Sequence, residues 1–172
     1  MSEVGEGISS SRGKWDFSKI DVNKFESHVE KSVPGYEEGH SYIQILSDYF
    51  LSDNSRCYDI GCSTGNLIKK LSEYNSKKLG INFIGVEPVL SFETLFMKNT
   101  SYCNDKHCFS FLNELIEEVE LEVCDMIVSF YSIQFIHPRH RQSIFDKIYK
   151  SLNWGGGFFF FEKVRAPDAR FQ

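Results

Sequence analysis

Residues 57 to 67 read CYDIGCSTGNL: a short apolar run that ends on Asp59, two glycines that bracket Cys62, Ser63 and Thr64, and then a helical pattern. In that pattern Leu67, Ile68 and Leu71 share one face. A strand that leaves through a glycine turn into an amphipathic helix restricts the chain to a few α/β architectures. The next apolar run, INFIGVE, is bounded by Gly80 and ended by Glu87 and Pro88, which completes a strand, helix, strand unit. The alternation continues with a short helix over 91 to 99 and strands over 108 to 112 and 124 to 130. A helix over 138 to 152 follows, with Ile144, Phe145, Ile148 and Leu152 on one face, and GGGFFFFE supplies a glycine stop and a fifth strand. That phenylalanine run reads as a central strand buried on both faces. Before the glycine turn, residues 34 to 50 predict a helix with Pro34 in its first turn and Tyr42, Ile45, Leu46, Tyr49 and Phe50 as its apolar face. The expected fold class is α/β, a mostly parallel sheet with helices on both faces.

The turn itself limits the ligand. A phosphate-cradling loop would need GxxxxGK[ST], but here the turn is shorter and Lys69 lies inside the helix. A dinucleotide fingerprint needs a middle glycine where the pyrophosphate approaches the backbone, and Ser63 occupies that place. What remains is Asp59-x-Gly61-x-Ser63-x-Gly65, followed by Glu87 at the end of the second strand. A carboxylate fixed at a strand end can accept from both hydroxyls of a ribose. The plainer alternative is that Asp59 caps its turn and Glu87 is a solvated strand end.

At 172 residues the chain predicts one domain, with residues 1 to 18, composed of Gly, Ser and charge, as a flexible arm before a domain over 19 to 172. Nineteen basic against twenty-four acidic side chains give no strong electrostatic footprint for non-specific nucleic-acid binding and leave room for a local basic patch. Five cysteines without a repeated CxxC spacing predict reduced thiols, no zinc site and a cytoplasmic location. No run reaches the length of a membrane span. His137 and His140 read either as a base and a metal ligand or as residues of a helix start. The cluster Arg139, His140 and Arg141 reads either as a phosphate contact or as a solvated helix start. Cys62, beside a helix N-terminus, reads either as a reactive thiol or as packing under the turn.

The two motifs resemble those of class I S-adenosylmethionine-dependent methyltransferases, whose Rossmann-like fold places the turn against the methionine and ribose parts of the ligand. The segments KSVPGYEEGHSYIQIL, YDIGCSTG and SIQFIHPRHRQSIFDKIYKSLNWGGGFFFFEK are similar, over about residues 21 to 165, to the carboxy-S-adenosyl-L-methionine synthase family. The resemblance implies conversion of S-adenosyl-L-methionine and prephenate into carboxy-S-adenosyl-L-methionine, in tRNA wobble-uridine modification. S-Adenosyl-L-homocysteine is an implied alternative ligand. By resemblance, Tyr36 meets the amino-acid or carboxylate end of the ligand, and Gly61, Cys62 and Ser63 meet its methionine part. Glu87 holds the ribose, Glu114 and Leu115 flank the adenine, and Phe130 lines the floor under the sulfonium. Glu87-Pro88 stands where the family has Asp-Asn, and Phe130 where it has Asn. The family's carboxylate-binding arginine and a final antiparallel hairpin have no counterpart up to Gln172, which predicts an open fifth-strand edge and a homodimer. No catalytic residue is assigned. An adenosyl-binding module that works through a partner protein is the alternative to an enzyme.

Overall fold

The structure, a computed structural model, describes residues 2–5, 8–11, 14–16, 21–101, 103 and 106–164. The expected domain end over 165 to 172 lies outside the described residues, as do 1, 6–7, 12–13 and 17–20. The first strands are β1 (Ser2–Gly5), β2 (Ile8–Ser11) and β3 (Lys14–Asp16), paired antiparallel in that order. The composition predicts no regular structure there.

Helices α1 (Val22–Ser32) and α2 (Tyr36–Phe50) follow, then β4 (Arg56–Ile60), α3 (Asn66–Tyr74), β5 (Asn82–Val86), α4 (Glu93–Ser101), β6 (Cys108–Leu112), β7 (Cys124–Phe130), α5 (Pro138–Ser151) and β8 (Leu152–Phe161). The five strands β4 to β8 form a parallel sheet in the order β6-β5-β4-β7-β8. Register places Asp59 opposite Gly85 and Val128, and Ile60 opposite Val86 and Ser129, so the C-terminal ends of the three central strands finish level.

Alternation along the strands builds two cores. Cys57, Phe83, Met126 and Val128 face Ile43 of α2, Leu67, Ile68 and Leu71 of α3, and Phe96 of α4. Tyr58, Ile84, Val86 and Ile127 face Ile144 and Ile148 of α5 on the other side. Each fully buried Leu or Ile contributes about 1.5–3 kcal/mol, so the three from α3 alone fix that helix to the sheet.

Three expectations are corrected. α2 buries Tyr36, Gly39, His40, Ile43 and Ser47, while Tyr42, Ile45, Leu46 and Tyr49 are exposed. The face is chosen by close approach, because a side chain at Gly39 would lie 2.7 Å from the Phe130 ring, and by polar pairing of His40 with Lys70. Pro34 sits in the turn before Gly35, ahead of the helix it was expected to open. Among the described strands the phenylalanine run of β8 lies at the edge of the sheet, and Phe160 is half exposed.

Candidate functional site

Immediately after β4 the chain turns across the end of β5. Gly61 N donates to Val86 O at 2.8 Å, and Gly65 N to Cys62 O at 2.8 Å. Gly65 has φ +74°, and a side chain there would stand 2.6 Å from Phe96, so glycine meets both a conformational and a packing requirement. Ser63 takes a left-handed φ of 47° and presents its N–H to Glu87 Oε2 at 3.1 Å. The other oxygen of Glu87 accepts from Val89 N at 3.0 Å, so one carboxylate ties the turn after β4 to the turn after β5. Asn113 Nδ2 donates to Glu87 O at 2.9 Å from the end of β6.

Asp59 is 2% exposed and Glu87 6%. Burial pushes both carboxyls up to about 7, and for Asp59 the neighbouring Glu87 adds to the shift. The two backbone N–H groups on Glu87 oppose its shift in part. No described residue donates a hydrogen bond to the Asp59 carboxyl. The Cys62 thiol packs under the turn against Gly85, where a side chain would stand 2.5 Å from Sγ. Burial, then Asp59 and Glu87, raise the thiol well above its ordinary range, so it is a packing group rather than a nucleophile.

Beside the turn lies a cleft of about 640 Å³, a size ordinary for a small-molecule site. Gly61, Ser63, Glu87, Pro88, Leu115 and Phe130, all expected from the sequence, line it. Asp59, Cys62 and Gly65 lie below or behind the turn, outside the lining. Glu114 is exposed and does not reach the cleft; Ile116 and Glu117 stand beside Leu115 instead. Tyr36 is buried beside the cleft, its ring 5.5 Å from Phe130, and its hydroxyl donates to Glu26 at 3.2 Å.

Other lining residues carry no local signal in the sequence. Phe25 of α1 meets Phe92 edge-on at 4.9 Å across the cleft mouth. Tyr131, with φ 57°, and Ser132 follow β7; Ser132 Oγ donates to Ile60 O at 2.6 Å. The loop is clamped from below by Glu162, which accepts from Ile133 N at 2.8 Å and Gln134 N at 3.0 Å. Arg141 is used in the same clamp, donating to Ile136 O and Gln134 O. His137 lines the cleft while its Nδ1 accepts from Arg139 N as the cap of α5, and Arg139 Nε donates to His140 Nε2. No Lys or Arg lines the cleft among the described residues.

No family model matches the sequence. A carboxy-S-adenosyl-L-methionine synthase of Staphylococcus epidermidis is 35% identical over 152 residues, 88% of this chain and 64% of the relative. The chain thus spans slightly less than two thirds of that relative's length. A solved structure from Methanococcus maripaludis, assigned to the S-adenosyl-L-methionine-dependent methyltransferases, superposes with a TM-score of 0.59 at 20% identity, over 93% of this chain and 66% of that one. Phosphoethanolamine N-methyltransferase 1 of Haemonchus contortus, solved with phosphoethanolamine and S-adenosylhomocysteine, gives a TM-score of 0.60 at 13% identity, over 87% of this chain and 34% of that one. By its strand order and glycine turn the chain has the fold of these S-adenosyl-L-methionine-dependent methyltransferase structures, and along about nine-tenths of its length it is similar to carboxy-S-adenosyl-L-methionine synthases.

Proposed function

We propose that the cleft binds S-adenosyl-L-methionine and that the chain acts as a transferase of the carboxy-S-adenosyl-L-methionine synthase type. The observation that carries this reading is the carboxylate of Glu87, held across two turns by backbone N–H groups and facing a cleft without a fixed cation. Its oxygens retain lone pairs for two ribose hydroxyls. A triphosphate or pyrophosphate would meet Glu87 and Glu117 with no Lys or Arg among the described lining residues, whereas a sulfonium meets favourable charge. Pro88, Leu115 and Ile116 offer apolar surface to an adenine ring, and Phe130 offers an aromatic neighbour to the sulfonium. Gly61 and Ser63 take the methionine side, with Asp59 beneath them. In such a site the chain's task is to orient donor and acceptor and to exclude water.

Calorimetric titration with S-adenosyl-L-methionine, S-adenosyl-L-homocysteine and carboxy-S-adenosyl-L-methionine tests the reading. Micromolar binding that Glu87→Ala lowers at least tenfold is expected, since a hydrogen-bonded carboxylate contributes about 1.5–3 kcal/mol. No binding of any of the three overturns it. Incubation with S-adenosyl-L-methionine and prephenate then separates two readings. Formation of the carboxylated product is expected of the synthase. Binding without turnover favours an adenosyl-binding module acting through a partner, a reading supported by the exposed Tyr42, Ile45, Leu46 and Tyr49 of α2.

A further inference from the structure

Glu26 stands in the middle of α1, and its carboxylate is met by three side-chain donors from three separate places in the chain. The Tyr36 hydroxyl at the start of α2 reaches Oε2 at 3.2 Å, the Asn66 amide at the start of α3 reaches Oε2 at 2.9 Å, and the Thr64 hydroxyl of the glycine turn donates to Oε1. Tyr36 and Thr64 are 8% and 1% exposed, and neither hydroxyl donates to another group. All three donors are neutral, and no Lys, Arg or His among the described residues pairs with this carboxylate. In addition, α2 and α3 both begin without a side-chain cap, after Gly35 and Gly65, so two helix N-termini bring their positive ends to the same place. Neutral hydroxyl and amide donors converging between two uncapped helix starts make a carboxylate site.

The group that fills it belongs to an element with little else to hold it. Among the described residues α1 has no fully buried side chain, and its Val22 and Phe25 pack against Phe92. Thr64 belongs to the glycine turn, and Tyr36 stands against Phe130, which lines the cleft. Two carboxylates cannot share one set of three donors, and bringing a second one there would add like-charge repulsion.

We propose that Tyr36, Thr64 and Asn66 form the subsite for the α-carboxylate of the ligand, and that Glu26 is its intramolecular stand-in, so that α1 must release this carboxylate before the ligand's can enter. The inference rests on the adenosyl reading of the cleft. α1, with Phe25 on the cleft wall, then acts as a competitive gate: it closes the site in the free protein and gives way only to a ligand that brings its own carboxylate.

The test compares S-adenosyl-L-homocysteine with 5′-methylthioadenosine, which keeps the nucleoside and thioether but lacks the amino-acid end. Both are titrated calorimetrically into the wild type, Glu26→Ala and Glu26→Gln, with thermal melts confirming that the variants fold. Removal of the internal competitor is expected to tighten S-adenosyl-L-homocysteine by about tenfold, while 5′-methylthioadenosine changes by less than about twofold. Unchanged or weakened S-adenosyl-L-homocysteine binding overturns the proposal; a selective loss would make Glu26 a counter-charge for the ligand's ammonium group instead. A parallel change for both ligands also overturns it and leaves Glu26 as a clasp of the fold. If neither ligand binds any of the three proteins, the adenosyl reading falls first, and the gate with it.

Discussion

At the N-terminal end of the parallel sheet the charged groups are matched, whereas at its C-terminal end they are not. Asp125, at the start of β7, accepts from Arg56 N at 2.9 Å and from Asn153 Nδ2 at 2.7 Å, while Arg56 pairs with Glu122 at 2.8 Å and donates to Val123 O at 2.7 Å. At the other end Asp59 and Glu87 lie buried beside each other with no Lys or Arg between them, and both are pushed up to about 7. The backbone follows the same division. Ser63 and Tyr131 are held at φ 47° and 57° on the cleft side, while the left-handed residue near the opposite end is Asn54, at φ 62°, a type that tolerates this region. Unpaired charge and strain persist only where the surrounding fold imposes them, and here they gather at the cleft.

The sharpest test of this contrast substitutes the same residue type at both ends. A carboxyl with a folded-state pKa raised to about 7 keeps its proton in the folded protein between about pH 4 and pH 7, where the unfolded chain has lost it. The folded state binds more protons in that window, so stability falls as pH rises through it and levels off above 7. Asp59→Asn is therefore expected to stabilise the protein at pH 8 by about 2–4 kcal/mol, with the gain disappearing toward pH 4. His40, held near 4 by burial and Lys70, titrates in the opposite sense, but it is common to both proteins and cancels in the difference. Urea denaturation at pH 4.5, 6 and 8 measures it. A loss of stability at pH 8 would mean that the Asp59 carboxylate is satisfied in the folded protein.

Asp125→Asn is expected to act in the other direction. It removes the charge from a carboxylate that accepts from Arg56 N and from Asn153, so a loss of about 1–2 kcal/mol is expected, with no gain at high pH. The same denaturation series checks it. If both variants move the same way at pH 8, the two ends of the sheet do not differ as described.

The distinction between the ends was only partly visible in the sequence. The strands, the glycine turn and α3 were legible because each follows from short-range pattern: apolar runs of strand length, glycines at fixed offsets, and three apolar residues on one helix face. Which face of α2 is buried was not, because that face is set by Gly39 approaching Phe130 and by His40 meeting Lys70, neither of which adds hydrophobicity. The phenylalanine run of β8 has the composition of a central strand, but strand order is a property of the whole sheet and not of the run. Asp59 and Glu87 were singled out by position, whereas their lack of a cation depends on what the other loops bring. Glu26 left no trace: α1 is polar overall, and the partners of its carboxylate lie 10, 38 and 40 residues away.

The smallest expected effect isolates the backbone part of the contrast. Ser63→Gly removes a side chain whose hydroxyl reaches only Gly61 O, at 3.5 Å, while glycine relieves the left-handed strain. Against that relief stands the greater freedom of glycine in the unfolded chain, which costs about 0.5–1 kcal/mol. The two terms nearly cancel, so Ser63→Gly is expected to change stability by less than about 0.5 kcal/mol in either direction. Asn54→Gly starts from a residue better suited to the same conformation, so less strain is relieved for the same loss of unfolded-state restriction. It should therefore be the more destabilising of the two, by a few tenths of a kcal/mol. Paired urea curves at one pH decide the order. If Asn54→Gly is the milder change, Ser63 carries no more strain than Asn54, and the cleft differs from the opposite end in its charges alone.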